Sequence, residues 1–251
     1  MHRTSVPEIF VAVHSSSVEE LLLAWFSQNR RDLPWRQTRD PYALLVSEVM
    51  LQQTRVDRVI PRWTAWLERW PTPAALAAAS PADVIRAWQG LGYNRRALAL
   101  HGAARAVAAG GWPDDLTTLP GVGRYTAAAV RNFAFGEDVL PIDTNVSRVQ
   151  ERTGHAFEPR SAQALMDLGA TVCLGRVPRC DACPLAELCP SRGRRYEPLR
   201  KQSRFEGSFR QRRANALRAI IEERDPGDDE AVASLARDGL VAVRGDMVTL
   251  P

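Results

Sequence analysis

Lysine is almost missing from this sequence, although the chain is rich in basic side chains. Lys201 is the only lysine among 33 lysine and arginine residues. A biased genomic base composition is the simplest cause of this preference for arginine. The scarcity has a chemical consequence, because an enzyme that forms a Schiff base with its substrate needs a free amine. Only Lys201 and the N-terminal amine are available for that role, which disfavours covalent catalysis by an amine.

Long apolar runs are missing as well. No stretch approaches the 18 or more apolar residues of a membrane span, so we expect no membrane partner. The N-terminus has no basic segment followed by a long apolar one, so a signal peptide is not predicted and we expect a cytoplasmic protein. The net charge is only +4, but residues 192–213 hold nine basic and two acidic side chains. Positive charge is therefore concentrated in one segment.

Cysteine is scarce, and its four copies are clustered. Cys173, Cys180, Cys183 and Cys189 lie within 17 residues with the spacing C-x6-C-x2-C-x5-C. Disulfides are rare in the cytosol, so a metal centre is the better interpretation. Zinc sites more often pair two short C-x2-4-C spacings. One short spacing between two longer ones favours a [4Fe–4S] cluster, with zinc as the alternative.

The stretch from Pro120 to Arg148 has the pattern of a phosphate-binding turn. Gly121 and Gly123 flank one apolar residue, after a proline and before a helical run. Glycines let another backbone approach closely, and peptide N–H groups at a helix N-terminus attract anions. Asp143 follows 20 residues later in an otherwise uncharged run. The alternative is an ordinary helix–turn–helix in which Asp143 caps a helix.

Glu48 is the second unusual carboxylate. It lies in a predicted helix, residues 42–54, between the apolar triplets Leu-Leu-Val and Val-Met-Leu. A buried carboxylate without a partner is costly, so it tends to be protonated or functional. The alternative is an exposed position on a polar face of the helix.

Helical patterns cover most of the chain before residue 239. Helices are predicted over residues 18–28, 42–54, 56–70, 94–109, 122–135, 144–153 and 161–172, with one more that begins after Ser80. Ser80 followed by proline is a strong start signal. Residues 209–223 and 229–238 predict two further helices, and residues 239–250 predict a short hairpin. The fold class is all-α with a small tail similar to a winged helix.

Taken together, these patterns resemble the helix-hairpin-helix DNA glycosylase superfamily of the endonuclease III type. Within it, the chain is most similar to the adenine-specific mismatch glycosylases of the MutY family. The matches are Leu119-Pro120-Gly121-Val122-Gly123, Asp143, the four cysteines, Leu33-Pro34-Trp35-Arg36, Ser47-Glu48-Val49-Met50-Leu51-Gln52-Gln53-Thr54, Trp88-Gln89-Gly90-Leu91-Gly92-Tyr93 and Ala164-Leu165-Met166-Asp167-Leu168-Gly169-Ala170. The Ser-Glu-Val-Met-Leu-Gln-Gln-Thr run is highly specific.

The resemblance implies a fold and a division into domains. Residues 1–32 would join the cluster domain, 33–138 would form a six-helix barrel, 139–195 would hold the [4Fe–4S] cluster, and 196–251 would be a basic linker and appendage. DNA would bind in the cleft between the barrel and the cluster domain. Many members carry a further C-terminal domain that reads 8-oxoguanine, whereas only about 55 residues follow the cluster here. The resemblance therefore does not specify the opposite base.

The resemblance also implies a mechanism. The enzyme would flip an adenine opposite 8-oxoguanine or G out of the duplex. Glu48 would protonate the purine as a general acid, and ionised Asp143 would stabilise the cationic sugar. Tyr125 stands where bifunctional members have a lysine, which implies base removal without strand cleavage.

DNA contacts follow from the same resemblance. Gln52, Gln53 and Tyr93 would enter the base stack, and the hairpin residues Gly121, Val122, Gly123 and Arg124 would bind the phosphate backbone. The expected partner is double-stranded DNA with a mismatched or damaged base, bound by a monomer. The first alternative is a glycosylase for thymine or uracil opposite G. The second is a cluster-bearing DNA-binding protein without catalysis, which the presence of both Glu48 and Asp143 disfavours.

Overall fold

A computed structural model describes residues 8–197, 204–245 and 247–251 of the chain. Nearly all of its regular structure is helical. The helices are α1 (Glu8–Asn29), α2 (Pro41–Leu51), α3 (Val56–Arg69), α4 (Pro73–Ala77), α5 (Pro81–Trp88), α6 (Arg95–Gly110), α7 (Arg124–Phe133), α8 (Thr144–Thr153), α9 (Ala162–Thr171), α10 (Phe209–Ile221) and α11 (Asp229–Arg237). The strands β1 (Ala242–Arg244) and β2 (Met247–Thr249) pair antiparallel, with Val243 opposite Val248. None of the described helices is both long and apolar enough to cross a membrane.

The chain folds into two compact units, and each is built from separate segments. The described residues of the first unit are 8–33 and 135–197, which contain α1, α8 and α9. Those of the second unit are 34–134, 204–245 and 247–251, which contain α2 to α7, α10, α11 and the hairpin. The C-terminal helices α10 and α11 therefore belong to the same unit as α2 to α7.

The first unit has an apolar core that two buried carboxylates stabilise. Leu22 of α1 packs with Val149 of α8 and with the leucines of α9. Glu19 is 3% exposed and accepts hydrogen bonds from the backbone N–H of Glu158 (2.6 Å), Arg160 Nη2 (2.9 Å) and Ser161 Oγ (3.2 Å).

Asp167 is the second buried carboxylate of this unit. It is fully buried on α9 and accepts hydrogen bonds from the backbone N–H (3.0 Å) and Nε (2.7 Å) of Arg31. A buried carboxylate is tolerated only when it is paired and hydrogen-bonded. The Asp167 pair therefore anchors the end of the N-terminal segment to α9.

The second unit is organised around α2, because nine of the eleven residues of this helix are buried. Its N-terminus is well specified, since Asp40 caps the backbone N–H groups of residues 42 and 43. Tryptophans of α3 pack on its first turn. Trp66 Nε1 donates to the hydroxyl of Tyr42 (3.2 Å), and Trp63 Nε1 donates to the carbonyl of Ala43 (2.8 Å). Buried indole groups thus keep their hydrogen bonds and fix the first turn of α2.

Within the second unit, the C-terminal helices and the hairpin pack onto the earlier helices through a small apolar cluster. Leu217 of α10 and Leu235 of α11 share this cluster with Ile85 of α5. Asp238 accepts from Arg213 of α10 and lies 3.7 Å from Arg95 of α6. The predicted two helices and hairpin are present, and this packing joins them to α5 and α6.

Several helix boundaries differ from the sequence prediction. The first helix begins at Glu8 rather than residue 18, because extending a packed helix adds one hydrogen bond for each residue that is fixed. The short helix α4 was not predicted, although Thr72 caps it by accepting from the N–H of Ala75 (3.1 Å). The predicted cap at Ser80 is confirmed, since its side chain accepts from the N–H of Asp83 (3.1 Å). Lys201 lies outside the described residues.

Candidate active site

Glu48 is buried inside α2, with 6% of its surface exposed. Of the six residues nearest to Glu48 in the sequence, 45–47 and 49–51, five are apolar and the sixth is Ser47. All of them except Leu51 are buried. This burial contradicts the alternative of an exposed position on a polar face. The role of Glu48 as a proton donor stays a prediction.

Helix α2 packs against α7, which carries Tyr125 near its start. Gln52 caps the C-terminus of α2, and its Nε2 lies 3.5 Å from the hydroxyl of Thr126 on α7. Tyr125 is half-buried. The fold therefore brings the predicted acid, one predicted DNA-contacting glutamine and the tyrosine onto two adjacent helices.

The hairpin before α7 contains a tight turn that requires one of its two glycines. The N–H of Val122 donates to the carbonyl of Leu119 (3.1 Å) across Pro120 and Gly121. Proline followed by a residue at positive φ is typical of a type II turn, and Gly121 has φ +75°. A Cβ on Gly121 would lie 2.7 Å from the Cβ of Ala99 on α6. Glycine is thus required here by backbone conformation and by space.

The other hairpin residues have different environments. Gly123 has an extended backbone (φ −88°, ψ 175°), and a Cβ there would meet no atom within 4 Å. It occupies the N-cap of α7, and no side chain caps that helix. Arg124 and both glycines are exposed, whereas the side chain of Val122 is buried (6%). A DNA contact by Val122 would therefore have to use its backbone carbonyl, since its N–H is used in the turn.

The two other predicted DNA-contacting residues have unusual backbone conformations. Gln53 has φ +58° and Tyr93 has φ +47°, and both side chains are exposed. Residues other than glycine rarely adopt positive φ, because the Cβ approaches the following carbonyl. Arg96, for which no role is predicted from the sequence, binds the backbone beside both positions. The only signal was an arginine at the start of a helix, next to a glycine-rich loop.

Asp143 belongs to the first unit, where it forms the N-cap of α8. Its carboxylate accepts hydrogen bonds from the N–H of Asn145 (2.8 Å), the N–H of Val146 (2.7 Å) and the side-chain amide of Asn145 (2.7 Å). The capping alternative is therefore correct as a description of local structure. It does not exclude catalysis, because three donors hold the carboxylate in one orientation at a helix terminus that favours negative charge.

Arg148 connects this carboxylate to the cysteine segment. Its guanidinium donates to Oδ1 of Asn145 (2.7 Å), the carbonyl of Gly169 (2.7 Å) and the carbonyl of Cys173 (2.8 Å). Asn145 in turn donates to Asp143. A continuous hydrogen-bonded path, which the sequence does not predict, therefore runs from the first cysteine to the predicted catalytic aspartate.

The four cysteines are free thiols that line one cavity. Cys180 and Cys183 bracket one 3-10 turn, and Cys189 follows another. Burial raises the pKa of the Cys183 thiol to about 11, so a bound cation would have to displace its proton. Among the residues that the structure describes, no group of three metal-binding side chains converges on a single-ion site.

One arginine side chain and one glycine backbone N–H donate hydrogen bonds to cysteine sulfur atoms. Arg152 Nη1 donates to Cys173 Sγ (3.4 Å), and the N–H of Gly193 donates to Cys180 Sγ (3.2 Å). Arg152 is only 7% exposed and also donates to the carbonyls of Leu174 and Gly175, both at 2.7 Å. Four thiols around one cavity, with N–H donors directed at sulfur, fit a cysteine-ligated cluster.

Comparisons with known proteins agree with this arrangement. The model for the HhH-GPD superfamily base excision DNA repair protein matches residues 46–169. The adenine DNA glycosylase of Mycolicibacterium smegmatis is 41% identical over 272 residues, which covers 90% of this chain and 92% of that protein. The adenine DNA glycosylase of Mycobacterium tuberculosis is 44% identical over 231 residues, covering 78% of this chain and 76% of that protein. A thermostable thymine-DNA glycosylase structure superimposes with a TM-score of 0.66 at 26% identity, covering 72% of this chain and 97% of that structure.

Proposed function

This chain belongs to the HhH-GPD superfamily of base excision DNA repair proteins, and we propose that it is an adenine DNA glycosylase. It removes a mismatched adenine, opposite 8-oxoguanine or G, by hydrolysing the N-glycosidic bond. The observation that carries this proposal is the 41% identity to an adenine DNA glycosylase across 92% of that protein. The buried Glu48 and the oriented Asp143 support it, because the reaction requires one acid and one anion.

The chemistry divides between these two carboxyl groups. Adenine is a poor leaving group as an anion, so the proposal gives Glu48 the task of protonating a ring nitrogen. Burial among apolar neighbours favours the neutral, proton-donating form of such a side chain. The C–N bond then breaks toward a cationic sugar, which ionised Asp143 stabilises before water attacks. The hydrogen bonds of Asn145 to Asp143 fix the direction of that negative charge.

The reaction stops at an abasic site under this proposal. Tyr125 occupies the position at which bifunctional relatives have a lysine, and a phenol cannot form a Schiff base. Borohydride trapping should therefore give no substantial covalent adduct. A strong adduct that survives Lys201→Ala would contradict this part of the proposal.

In this proposal, double-stranded DNA binds to the hairpin and to the two loops that contain Gln53 and Tyr93, the residues with positive φ. Arg124 and the uncapped N-terminus of α7 contact phosphate, while Gln52, Gln53 and Tyr93 act at the opened base stack. The enzyme acts as a monomer. Since one protein presents all these groups, no second copy is needed to complete the DNA contacts.

The four cysteines hold a [4Fe–4S] cluster in this proposal, which ties the C-terminal part of the first unit together. Their shared cavity and the N–H donors on sulfur support it. Purified protein should contain about four iron atoms per chain for a cluster of this type. Stoichiometric zinc without iron would overturn the assignment, and Cys180→Ser should reduce solubility and DNA binding.

Single-turnover excision on four duplexes tests the activity. Duplexes with A:8-oxoguanine, A:G, T:G and U:G pairs are incubated with wild type, Asp143→Asn and Glu48→Gln. Wild type should release adenine. Asp143→Asn should lose about 10²–10³-fold in rate, the scale for removing one electrostatic stabiliser. Asparagine is as good an N-cap as aspartate, so this variant should stay folded.

The outcome with Glu48→Gln separates the candidate substrates. Adenine excision should fall as steeply as for Asp143→Asn, whereas thymine and uracil leave more readily as anions and depend less on an acid. If wild type ignores adenine and releases T or U opposite G, the chain is a thymine or uracil mismatch glycosylase. If neither variant changes any rate, the assignment of both carboxyl groups is wrong.

A further inference from the structure

We propose that Arg96 is a positioning residue that holds together the two loops acting on the base stack, and that it contacts no DNA phosphate. This inference rests on the proposed function, since it concerns the loops of Gln53 and Tyr93. An arginine near these loops in a DNA repair protein would ordinarily be assigned to the phosphate backbone. The contacts of Arg96 point elsewhere.

The hydrogen bonds of the Arg96 guanidinium are directed at protein groups, and all but one of them go to the backbone. It donates to six carbonyls and one hydroxyl, which come from both loops. The acceptors are Val49 O (2.8 Å), Met50 O (3.2 Å), Gln52 O, Thr54 Oγ1 (3.1 Å), Leu91 O (3.2 Å), Gly92 O (2.9 Å) and Tyr93 O (3.4 Å). With its donors shared among these acceptors, the side chain has none left over for a phosphate.

Three of these acceptors belong to the C-terminal end of α2 or to its cap, Gln52. The last carbonyls of a helix have no partner within the helix, and a cation there is favourable. Within the described parts of the chain, no carboxylate pairs with Arg96. Its charge is compensated by the carbonyl dipoles and by the rings of Trp88 and Tyr93, whose centroids lie 5.4 and 5.5 Å from the guanidinium carbon. Burial lowers the pKa of Arg96 to about 10, which leaves the guanidinium charged at neutral pH.

The other three carbonyls lie in the loop between α5 and α6. The hydroxyl of Thr54 adds a direct link, because it donates to the carbonyl of Leu91 (3.2 Å) as well as accepting from Arg96. Gln53 and Tyr93 therefore lie in two loops whose relative position is fixed by the side chain of Arg96. Positive φ at a residue other than glycine persists only where the surroundings impose it. Arg96 is the group that imposes it at both positions.

The test compares Arg96→Met and Arg96→Lys with Arg124→Met, the predicted phosphate contact. The logarithm of duplex affinity is measured against the logarithm of salt concentration for each variant. Loss of one phosphate contact should reduce the slope by about 0.9. We expect that reduction for Arg124→Met, and an unchanged slope for both Arg96 variants.

Two further measurements report on the loops. Opening of the base stack is followed by the fluorescence of 2-aminopurine placed next to an A:8-oxoguanine pair, and single-turnover adenine release gives the rate constant. Both should fall for Arg96→Met, the rate by about 10²-fold, as expected for a displacement of about 1 Å. Lysine keeps the charge but lacks the planar fork, so Arg96→Lys should recover little of the rate.

A reduced salt slope for Arg96→Met, or full recovery of the rate by Arg96→Lys, would overturn the proposal. If Arg96→Met does not fold, Arg96→Lys still decides the question through its slope and rate. Failure of wild type to release adenine would instead refute the proposed function, so the two failures are distinguishable.

Discussion

The two hairpin glycines should respond in opposite ways to the same substitution. Alanine at Gly121 must adopt φ +75°, and its Cβ would lie 2.7 Å from that of Ala99. A left-handed conformation costs an alanine about 1–2 kcal/mol. Overpacking adds about 1–3 kcal/mol, so Gly121→Ala should lower the free energy of unfolding by about 2–5 kcal/mol in total.

Gly123→Ala provides the matched control. Its backbone is extended, and the added methyl group meets no atom within 4 Å. Alanine is a poorer N-cap than glycine, but it also loses less entropy on folding, so the net change should stay within about 1 kcal/mol. DNA affinity should nevertheless fall, because the methyl group stands where the proposed phosphate approaches the helix terminus.

Urea unfolding monitored by circular dichroism measures the first effect, and fluorescence anisotropy with an undamaged duplex measures the second. A double variant separates the two costs at Gly121. Ala99→Gly removes the clashing methyl group, at a cost of about 0.5–1 kcal/mol within the helix. Combined with Gly121→Ala, it should restore the part of the unfolding free energy that is lost to overpacking. The part that is lost to the left-handed backbone conformation should remain. If Gly121→Ala costs less than about 1 kcal/mol, then neither the positive φ nor the close approach to Ala99 controls this turn.

Three other predictions concern arginine and carboxylate contacts outside the hairpin. Arg148→Met removes the donor that orients Asn145, so excision should fall by about 10–100-fold while the iron content stays at the wild-type level. Burial raises the pKa of Glu19, but its hydrogen bonds outweigh burial and leave that pKa below its usual range. The stability that Glu19 contributes is therefore present above pH 4.5 and is lost as pH falls through the lowered pKa, so the difference in urea midpoint between wild type and Glu19→Gln should shrink in acid. Arg212→Gln breaks the exposed ion pairs with Asp228 and Glu230, so it should lower the urea midpoint only slightly and leave the salt dependence of DNA binding unchanged.

Local chemistry explains what could be predicted from the sequence. Ser80 before a proline specifies a helix start by itself, and Asp143 specifies another. The burial of Glu48 was predictable because five of the six residues nearest to it in the sequence are apolar. The short helix α4 was missed, since Pro71 and Pro73 suggest a break and only one turn follows. A single turn has too few residues to show helical periodicity.

Contacts between distant segments explain what could not be predicted. Arg96 binds carbonyls up to 47 residues away, and Arg148 binds the carbonyl of Cys173, 25 residues away. A backbone carbonyl carries no sequence signature, since every residue has one. The partners of such an arginine are therefore defined only once the loops are folded. Both arginines instead resemble surface positions when the sequence is considered alone.

The basic segment at residues 192–213 shows that ion pairs between distant residues cannot be predicted from the sequence either. Its local excess of positive charge suggests a surface for DNA, yet at least three of the arginines that the structure describes in this segment are paired with acidic side chains. Arg192 pairs with Glu187, Arg212 with Asp228 and Glu230, and Arg213 with Asp238. All of these carboxylates lie outside the segment. The net charge of residues 192–213 therefore includes the arginines but omits the carboxylates that pair with them. Paired guanidinium groups attract phosphate less than free ones, because the adjacent carboxylate cancels their field at a distance. Part of the positive charge in this segment thus joins helices α10 and α11 to each other, and the loops that Arg96 holds are better candidates for the contact with DNA.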